Sequence, residues 1–111
     1  MTDRLMAGRF YDVMGNPISD EVGQALMADL ECRRIGHDTV VTDAGPVEVS
    51  TIFIPDDMRT QEDIEAGLPP LLFETAALLG NEDIIQERCS TGYDAVRAHL
   101  DVLGRVKAGR L

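Results

Sequence analysis

Apolar and β-branched residues dominate the chain between positions 37 and 54, where one turn signal interrupts them. Asp43-Ala44-Gly45-Pro46 has the composition of a tight turn. After this turn, apolar residues and threonine occupy every second position, which is the period of a half-buried strand. The pattern predicts a hairpin with strands over 37–42 and 47–54. The second strand ends there because Pro55 cannot donate to a sheet ladder. The predicted inner face of the second strand consists of Val47, Val49, Thr51 and Phe53.

Helical spacing of apolar residues first occurs over 20–33. Ser19 can accept a hydrogen bond from a free N–H of the first turn, and two acidic residues follow where the helix dipole favours negative charge. Arg33 and Arg34 close the segment at the end where cations are favoured. We therefore predict a helix over 20–33. Its apolar stripe consists of Val22, Leu26 and Leu30.

A second helix is predicted over 92–107, where Thr91 and Asp94 have the spacing of a capping pair. Arg105 and Lys107 complement the C-terminal end of the helix dipole. Apolar residues recur at helical spacing, so we expect them to form the face that packs on the sheet. This predicted stripe consists of Val96, Leu100, Leu103 and Val106.

Residues 71–79 fit a strand and a short helix equally well from their own pattern. Alternation places Leu71, Phe73 and Thr75 on one face, as in a strand. Ala76-Ala77-Leu78-Leu79 followed by Gly80 is equally typical of a short helix that ends at a glycine. If the segment is a strand, the chain turns at residues 80–81 and a further strand follows over 83–89.

Length and composition predict one domain with a real core. The chain has 111 residues, of which 44% are hydrophobic. We expect residues 1–18 to be loosely ordered around the turn signal Gly15-Asn16-Pro17, and residues 19–108 to form the domain. The predicted fold is α+β with two layers, in which a small antiparallel sheet of about four strands packs against two helices. An open edge in so small a sheet favours self-association, so a homodimer is plausible.

The charge of the chain is strongly acidic, with a formal net value of −10. A field of this sign repels phosphate backbones and anionic lipid, so we expect neither nucleic-acid nor membrane binding. The first residues lack the pattern of a signal peptide, and no apolar run approaches the roughly 20 residues of a membrane span. The expected location is the cytoplasm, where Cys32 and Cys89 stay reduced.

Candidate chemistry is sparse. The acidic loop 56–65 lacks oxygen ligands at the inner positions of an EF-hand, so we interpret it as a solvated connector, with one or two helical turns capped by Thr60 and Asp63. His37 or His99 can in principle serve as a base for Cys32 or Cys89, but no spacing demands such a pair. For Glu74 we favour a cross-strand pair with Arg88 over a catalytic role. We therefore expect no catalytic, cofactor-binding or metal-binding residue.

Short motifs occur in a characteristic order along residues 10–100. In chain order they are Tyr11-Asp12, Gly15-Asn16-Pro17-Ile18, Arg34, Asp38-Thr39, Val49-Ser50-Thr51, Pro69-Pro70-Leu71-Leu72-Phe73-Glu74-Thr75, Arg88, Ser90-Thr91 and Ala98-His99. In this order they resemble a family of small uncharacterised proteins encoded by bacteriophages of actinobacteria. The resemblance implies a strand over 71–79. It breaks at Ile54-Pro55-Asp56-Asp57, where the family has Leu-Gly-x-Asp-His and a Gly-rich loop. It assigns no activity and no site residue.

Three function classes follow as expectations. The first is a non-enzymatic phage accessory protein that acts in the host cytoplasm by contact with a host protein or with a second copy. The second is an acidic DNA mimic that occupies a nucleic-acid-binding protein of the host, which depends on the net charge of −10. The third is a small hydrolase that uses Cys/His chemistry or carboxylates. We favour the first, since the sequence contains no nucleophile-elbow or zinc-protease motif.

Overall fold

A four-stranded antiparallel sheet forms the centre of the computed structural model, which describes residues 9–110. The four strands pair in chain order, each with the next. The predicted α+β class is confirmed, and the segment 71–79 does form a strand, with bounds Phe73–Leu79. The elements are β1 (Phe10–Tyr11), β2 (Pro17–Ile18), α1 (Asp20–Met27), α2 (Leu30–Arg33), β3 (Arg34–Thr42), β4 (Gly45–Phe53), α3 (Gln61–Glu65), β5 (Phe73–Leu79), β6 (Glu82–Cys89) and α4 (Gly92–Lys107).

The inner face of the sheet carries the core, and α4 crosses all four of its strands. Val47, Val49 and Thr51 of β4 are fully buried, as the alternation predicted. Burial of this apolar surface is the main favourable term in docking the helix on the sheet. One core cluster consists of Val47, Val49, Ala77, Ile85, Val102 and Val106, and a second consists of Phe53, Leu72, Phe73 and Ala95.

Helix α4 has the predicted bounds but packs through a different face. The Thr91 side chain accepts a hydrogen bond from the Asp94 N–H, as the capping pair predicted. The prediction for the buried stripe is wrong at two positions, because Val96 is 48% exposed and Leu100 is 62% exposed. The reason is that the sheet offers hydroxyl partners to a polar side chain of the helix, which turns the face bearing that side chain inward. The buried residues of α4 are Ala95, His99, Val102 and Val106.

The helix predicted over 20–33 is divided into α1 and α2. Asp29 interrupts it, because its side chain accepts a hydrogen bond from the Cys32 N–H and starts a new helix. The buried guanidinium of Arg33 then donates to the carbonyl oxygens of Leu26 and Met27 at the end of α1, and to that of Phe53 at the end of β4. Arg33 thus satisfies free carbonyls of a helix end and ties α1 to the sheet.

Residues 10–18 form a small hairpin of β1 and β2. Phe10 is almost fully buried, and its ring packs so closely on Gly23 of α1 that a Cβ on this glycine would overlap the ring. The Tyr11 N–H donates to the Pro55 carbonyl, which attaches the hairpin to the chain just after β4. Of the segment 1–18 that we expected to be loosely ordered, residues 1–8 lie outside the described part.

Candidate functional site

A chain of hydrogen-bonded side chains crosses from the surface into the core between α4 and the sheet. The Nε2 atom of His99 lies 2.8 Å from Asp38 Oδ2, and its Nδ1 atom lies 2.8 Å from Thr51 Oγ1. Thr51 Oγ1 in turn lies 2.7 Å from Thr75 Oγ1. We call these four residues, Asp38, His99, Thr51 and Thr75, the buried polar network. It links β3, β4 and β5 to α4.

The local backbone of β3 makes room for the imidazole. Gly36 faces the ring, and a Cβ built on this glycine would lie 2.9 Å from His99 Cε1. The register of the sheet shifts between Arg34 and Gly36, two residues before Asp38. Thr51 and Thr75 are directly opposite one another in the β4–β5 ladder, so their hydroxyls meet on the inner face. Each partner of His99 is therefore fixed by strand pairing.

The direction of the hydrogen bonds follows from the chemistry of the groups. An ionised Asp38 can only accept, so Nε2 of His99 carries the proton of that bond. In the neutral imidazole, Nδ1 then accepts from the Thr51 hydroxyl, and Thr75 donates to Thr51. In the imidazolium, Nδ1 donates instead, and the hydroxyl of Thr51 must turn towards Thr75. Both arrangements satisfy the chain, and no buried side-chain N or O of the described residues lacks a hydrogen-bond partner.

Burial limits what the network can do. An aspartate–histidine–hydroxyl order is also the order of a nucleophilic triad. The Thr51 and Thr75 side chains, however, are 0% and 1% exposed, so a substrate carbonyl has no access to either hydroxyl. Only the Asp38 end reaches solvent, with 52% of its side chain exposed. The geometry of the buried polar network is suited to holding α4 in place on the sheet.

The other residues singled out from the sequence lie apart from His99. His37 Nε2 is 3.3 Å from Glu48 Oε1 on the sheet's outer face. The Cys89 thiol is 3.8 Å from the Thr91 carbonyl oxygen, and burial raises its pKa above the usual 9.0, which favours the unreactive thiol. Cys32 is exposed. Neither cysteine is a hydrogen-bond partner of a histidine within the described residues.

The predicted cross-strand pair is confirmed. Glu74 on β5 lies directly opposite Arg88 on β6, and its Oε2 accepts from Arg88 Nε at 3.0 Å. Gln86 Nε2 donates to the same oxygen at 3.0 Å. One oxygen of the carboxylate thus accepts two hydrogen bonds from β6 on the open face of the sheet, where it helps to hold the two neighbouring strands in register.

The acidic loop 56–65 uses its carboxylates to shape the connection between β4 and β5. Asp57 accepts from the Arg59 and Leu71 N–H groups and so clamps the two ends of the connection. The predicted capping of the short helix is confirmed, since Thr60 and Asp63 form a reciprocal capping box. Over residues 9–110, no three His, Cys, Asp or Glu side chains come together in a way that can hold a metal ion.

Exposed apolar side chains line the solvent side of α4. Tyr93 is 71% exposed and follows the same side of the helix as Val96 and Leu100, while Leu103 borders this side but is partly buried and packs against the core cluster. We call Tyr93, Val96, Leu100 and Leu103 the outer face of α4. Helix α4 is therefore apolar on two sides, and the sheet covers only one of them.

The class of protein that these features define is a two-layer α+β domain with a helix exposed on its outer side. Comparison with family models, with curated proteins and with solved structures returned no match to this chain. None of the helices within residues 9–110 is long and apolar enough to cross a membrane.

Proposed function

We propose that this protein is a small accessory protein that acts by binding another protein through the outer face of α4. The resemblance to small actinobacteriophage proteins supports a phage origin and a partner in the host cytoplasm. The observation that carries the proposal is the double apolar character of α4. Its inner stripe is already packed against the sheet, whereas Tyr93, Val96 and Leu100 of the outer face are exposed and belong to neither core cluster. Exposed apolar side chains grouped on one side of a helix are typical of interaction sites.

The alternatives gain less support from the described contacts. A hydrolase needs an accessible nucleophile beside a base, and the hydroxyl beside His99 is buried. A DNA mimic needs rows of free carboxylates at phosphate-like spacing. Some of the described carboxylates are instead paired with arginine, including those of Asp56, Asp57, Glu74 and Glu87.

Photo-crosslinking from the helix surface tests the proposal. A benzophenone amino acid replaces Leu100 in one protein and Ile64 of α3 in a control, because Ile64 is 46% exposed but belongs to the acidic connection. Both proteins are irradiated in actinobacterial lysate. We expect a discrete adduct from position 100 only. The captured protein is then purified, and its affinity should fall with Leu100→Gln and not with Ile64→Gln. Repeated absence of an adduct at position 100, or identical adducts from both positions, contradicts the proposal.

A further inference from the structure

On the basis of the proposed function, we infer that the partner presents an amphipathic α-helix whose apolar stripe is flanked by carboxylates. This helix packs along the outer face of α4. The inference names the secondary structure and the charge of the occupant, and it depends on three features of α4: the spacing of its exposed apolar residues, the sign of the charges beside them, and the cavity at its N-terminal end.

The spacing of the outer face is that of a helix–helix seam. Tyr93, Val96, Leu100 and Leu103 are separated by three, four and three residues. At 100° per residue they fall within an arc of about 80° along one side of the helix. Alternating steps of three and four are the pattern by which one helix receives the side chains of another. Helix α4 has 16 residues and is therefore about 24 Å long, enough for several turns of a partner helix.

The charges that α4 itself places on or beside this seam are positive. Lys107 continues the outer face by the next step of four residues, and Arg97 lies beside it, with its guanidinium 5.8 Å from the centre of the Tyr93 ring. No aspartate or glutamate occupies the stripe, although the chain has 20 acidic residues and only 10 basic ones. A surface with apolar residues and two cations is complementary to apolar residues and carboxylates.

The acidic residues of α4 are turned towards β6 and away from the seam. Asp101 Oδ2 lies 3.8 Å from Arg105 Nη1, and the same nitrogen donates to Glu87 of β6 at 2.9 Å. Asp94 lies near Cys89 of β6, where its charge adds to the burial that raises the pKa of that thiol. These carboxylates therefore do not offset the positive charge that a partner meets on the outer face.

A cavity at the N-terminal end of α4 extends the apolar surface. Its volume is about 330 Å³, and it lies between Tyr93 and the exposed Val13 and Met14 of the β1–β2 hairpin. An apolar side chain near one end of the partner helix can enter this space while the rest of its stripe follows α4. An apolar side chain that fills a pocket in this way typically adds to the affinity of a protein interface.

Two synthetic 18-residue helical peptides test the inference. Both carry leucine at steps of three and four, and they differ only in having glutamate or lysine at every flanking position. We expect the glutamate peptide to bind the full chain, and we expect the affinity of the lysine peptide to be lower by at least about tenfold. Leu100→Gln should lower the affinity for the glutamate peptide by about tenfold, and the control Ile64→Gln should leave it unchanged. The double variant Arg97→Glu/Lys107→Glu should reverse the preference. Circular dichroism checks that each variant is folded.

Other outcomes separate this inference from the proposed function. The inference of an acidic partner helix is refuted if the two peptides bind equally, or if neither binds while the benzophenone at position 100 still captures a host protein. The capture would still support the proposed interaction surface. If sedimentation velocity shows a dimer that Leu100→Gln dissociates, the occupant is a second copy and the inference is overturned. If position 100 yields no adduct and the glutamate peptide does not bind, both proposals fail.

Discussion

Replacing Thr51 with valine removes the hydroxyl that joins His99 to Thr75 while keeping the β-branched shape of the side chain. Thr51 Oγ1 lies 2.8 Å from His99 Nδ1 and 2.7 Å from Thr75 Oγ1, and the side chain is fully buried. The substitution therefore breaks two buried hydrogen bonds at once. It leaves the imidazole nitrogen without a partner in a place that water does not reach.

The expected cost follows from these contacts. A buried polar atom that loses its partner costs about 1–3 kcal/mol. The added methyl group offsets about 0.8 kcal/mol of this by burial. Thr51→Val leaves two such atoms, His99 Nδ1 and the Thr75 hydroxyl, without this partner, so we expect it to lower the free energy of unfolding by about 1–5 kcal/mol. Thr75→Val leaves the bond between Thr51 and His99 intact and should cost less than about 1 kcal/mol. The double variant should cost less than the sum by about 0.5–1 kcal/mol, because it no longer contains an orphaned Thr75 hydroxyl.

Urea denaturation followed by far-ultraviolet circular dichroism measures these differences, since the chain has no tryptophan. Thr39→Val is the matched control, because Thr39 is exposed and pairs with Glu48 on β4. It should change the free energy of unfolding by no more than about 0.5 kcal/mol. The interpretation of the network is refuted if Thr51→Val is as mild as this control, or if the two buried substitutions add within about 0.3 kcal/mol.

Three further predictions concern single sites. Gly36→Ala should lower the free energy of unfolding in urea by about 1–3 kcal/mol, because the new Cβ would lie 2.9 Å from the nearest atom of the imidazole in the buried polar network; an unchanged midpoint contradicts this. Asp12 should titrate by carbon NMR below the usual pKa of 3.8, since the Asn16 N–H donates to its carboxylate. The lowered pKa of Asp12 in the folded state adds stability that is present above pH 3.8 and is lost as the pH falls through the folded value. A titration midpoint of Asp12 at or above 3.8 contradicts this prediction. Iodoacetamide at about pH 8 should modify the exposed Cys32 before Cys89, whose raised pKa disfavours the thiolate, and mass spectrometry of timed samples would reveal the reverse order.

Local patterns predicted the elements of this fold better than the contacts between them. The hairpin of β3 and β4 follows from a period of two and a turn, and the start of α4 follows from the Thr91 cap. Both are decided within a few neighbouring residues. The residues of 71–79 alone did not decide between a strand and a helix, because a buried apolar run fits both. The pairing of β5 with a strand on each side makes it a strand.

The buried polar network was not predicted, since its members come from four separate elements. Asp38 and His99 are 61 positions apart, and nothing local to either residue indicates the other. One signal was present in the sequence. Thr51 occupies a position on the predicted inner face of β4, and a buried hydroxyl there requires a polar partner from the covering helix. His99 is the polar residue of α4 that meets this requirement, which turns the helix away from its predicted orientation.

The orientation of α4 gives a last prediction, because the two apolar sides of this helix should respond oppositely to truncation. Val102 is fully buried against the sheet, whereas Leu100 is 62% exposed. Val102→Ala removes two buried methyl groups at about 0.8 kcal/mol each and leaves space behind, so it should cost about 2 kcal/mol of unfolding free energy. Leu100→Ala should cost no more than about 0.5 kcal/mol.

The variants Val102→Ala and Leu100→Ala also distinguish the packing of α4 predicted from the sequence from the packing in the structure. If the stripe predicted from the apolar pattern were the packed one, Leu100→Ala would be the more damaging change, at about 2–5 kcal/mol. Urea midpoints of the two variants decide between these orders. A larger loss for Leu100→Ala would return that face to the core, and would remove the surface on which the proposed interaction depends. A larger loss for Val102→Ala leaves Leu100 free to contact a partner, because it is then not needed for folding.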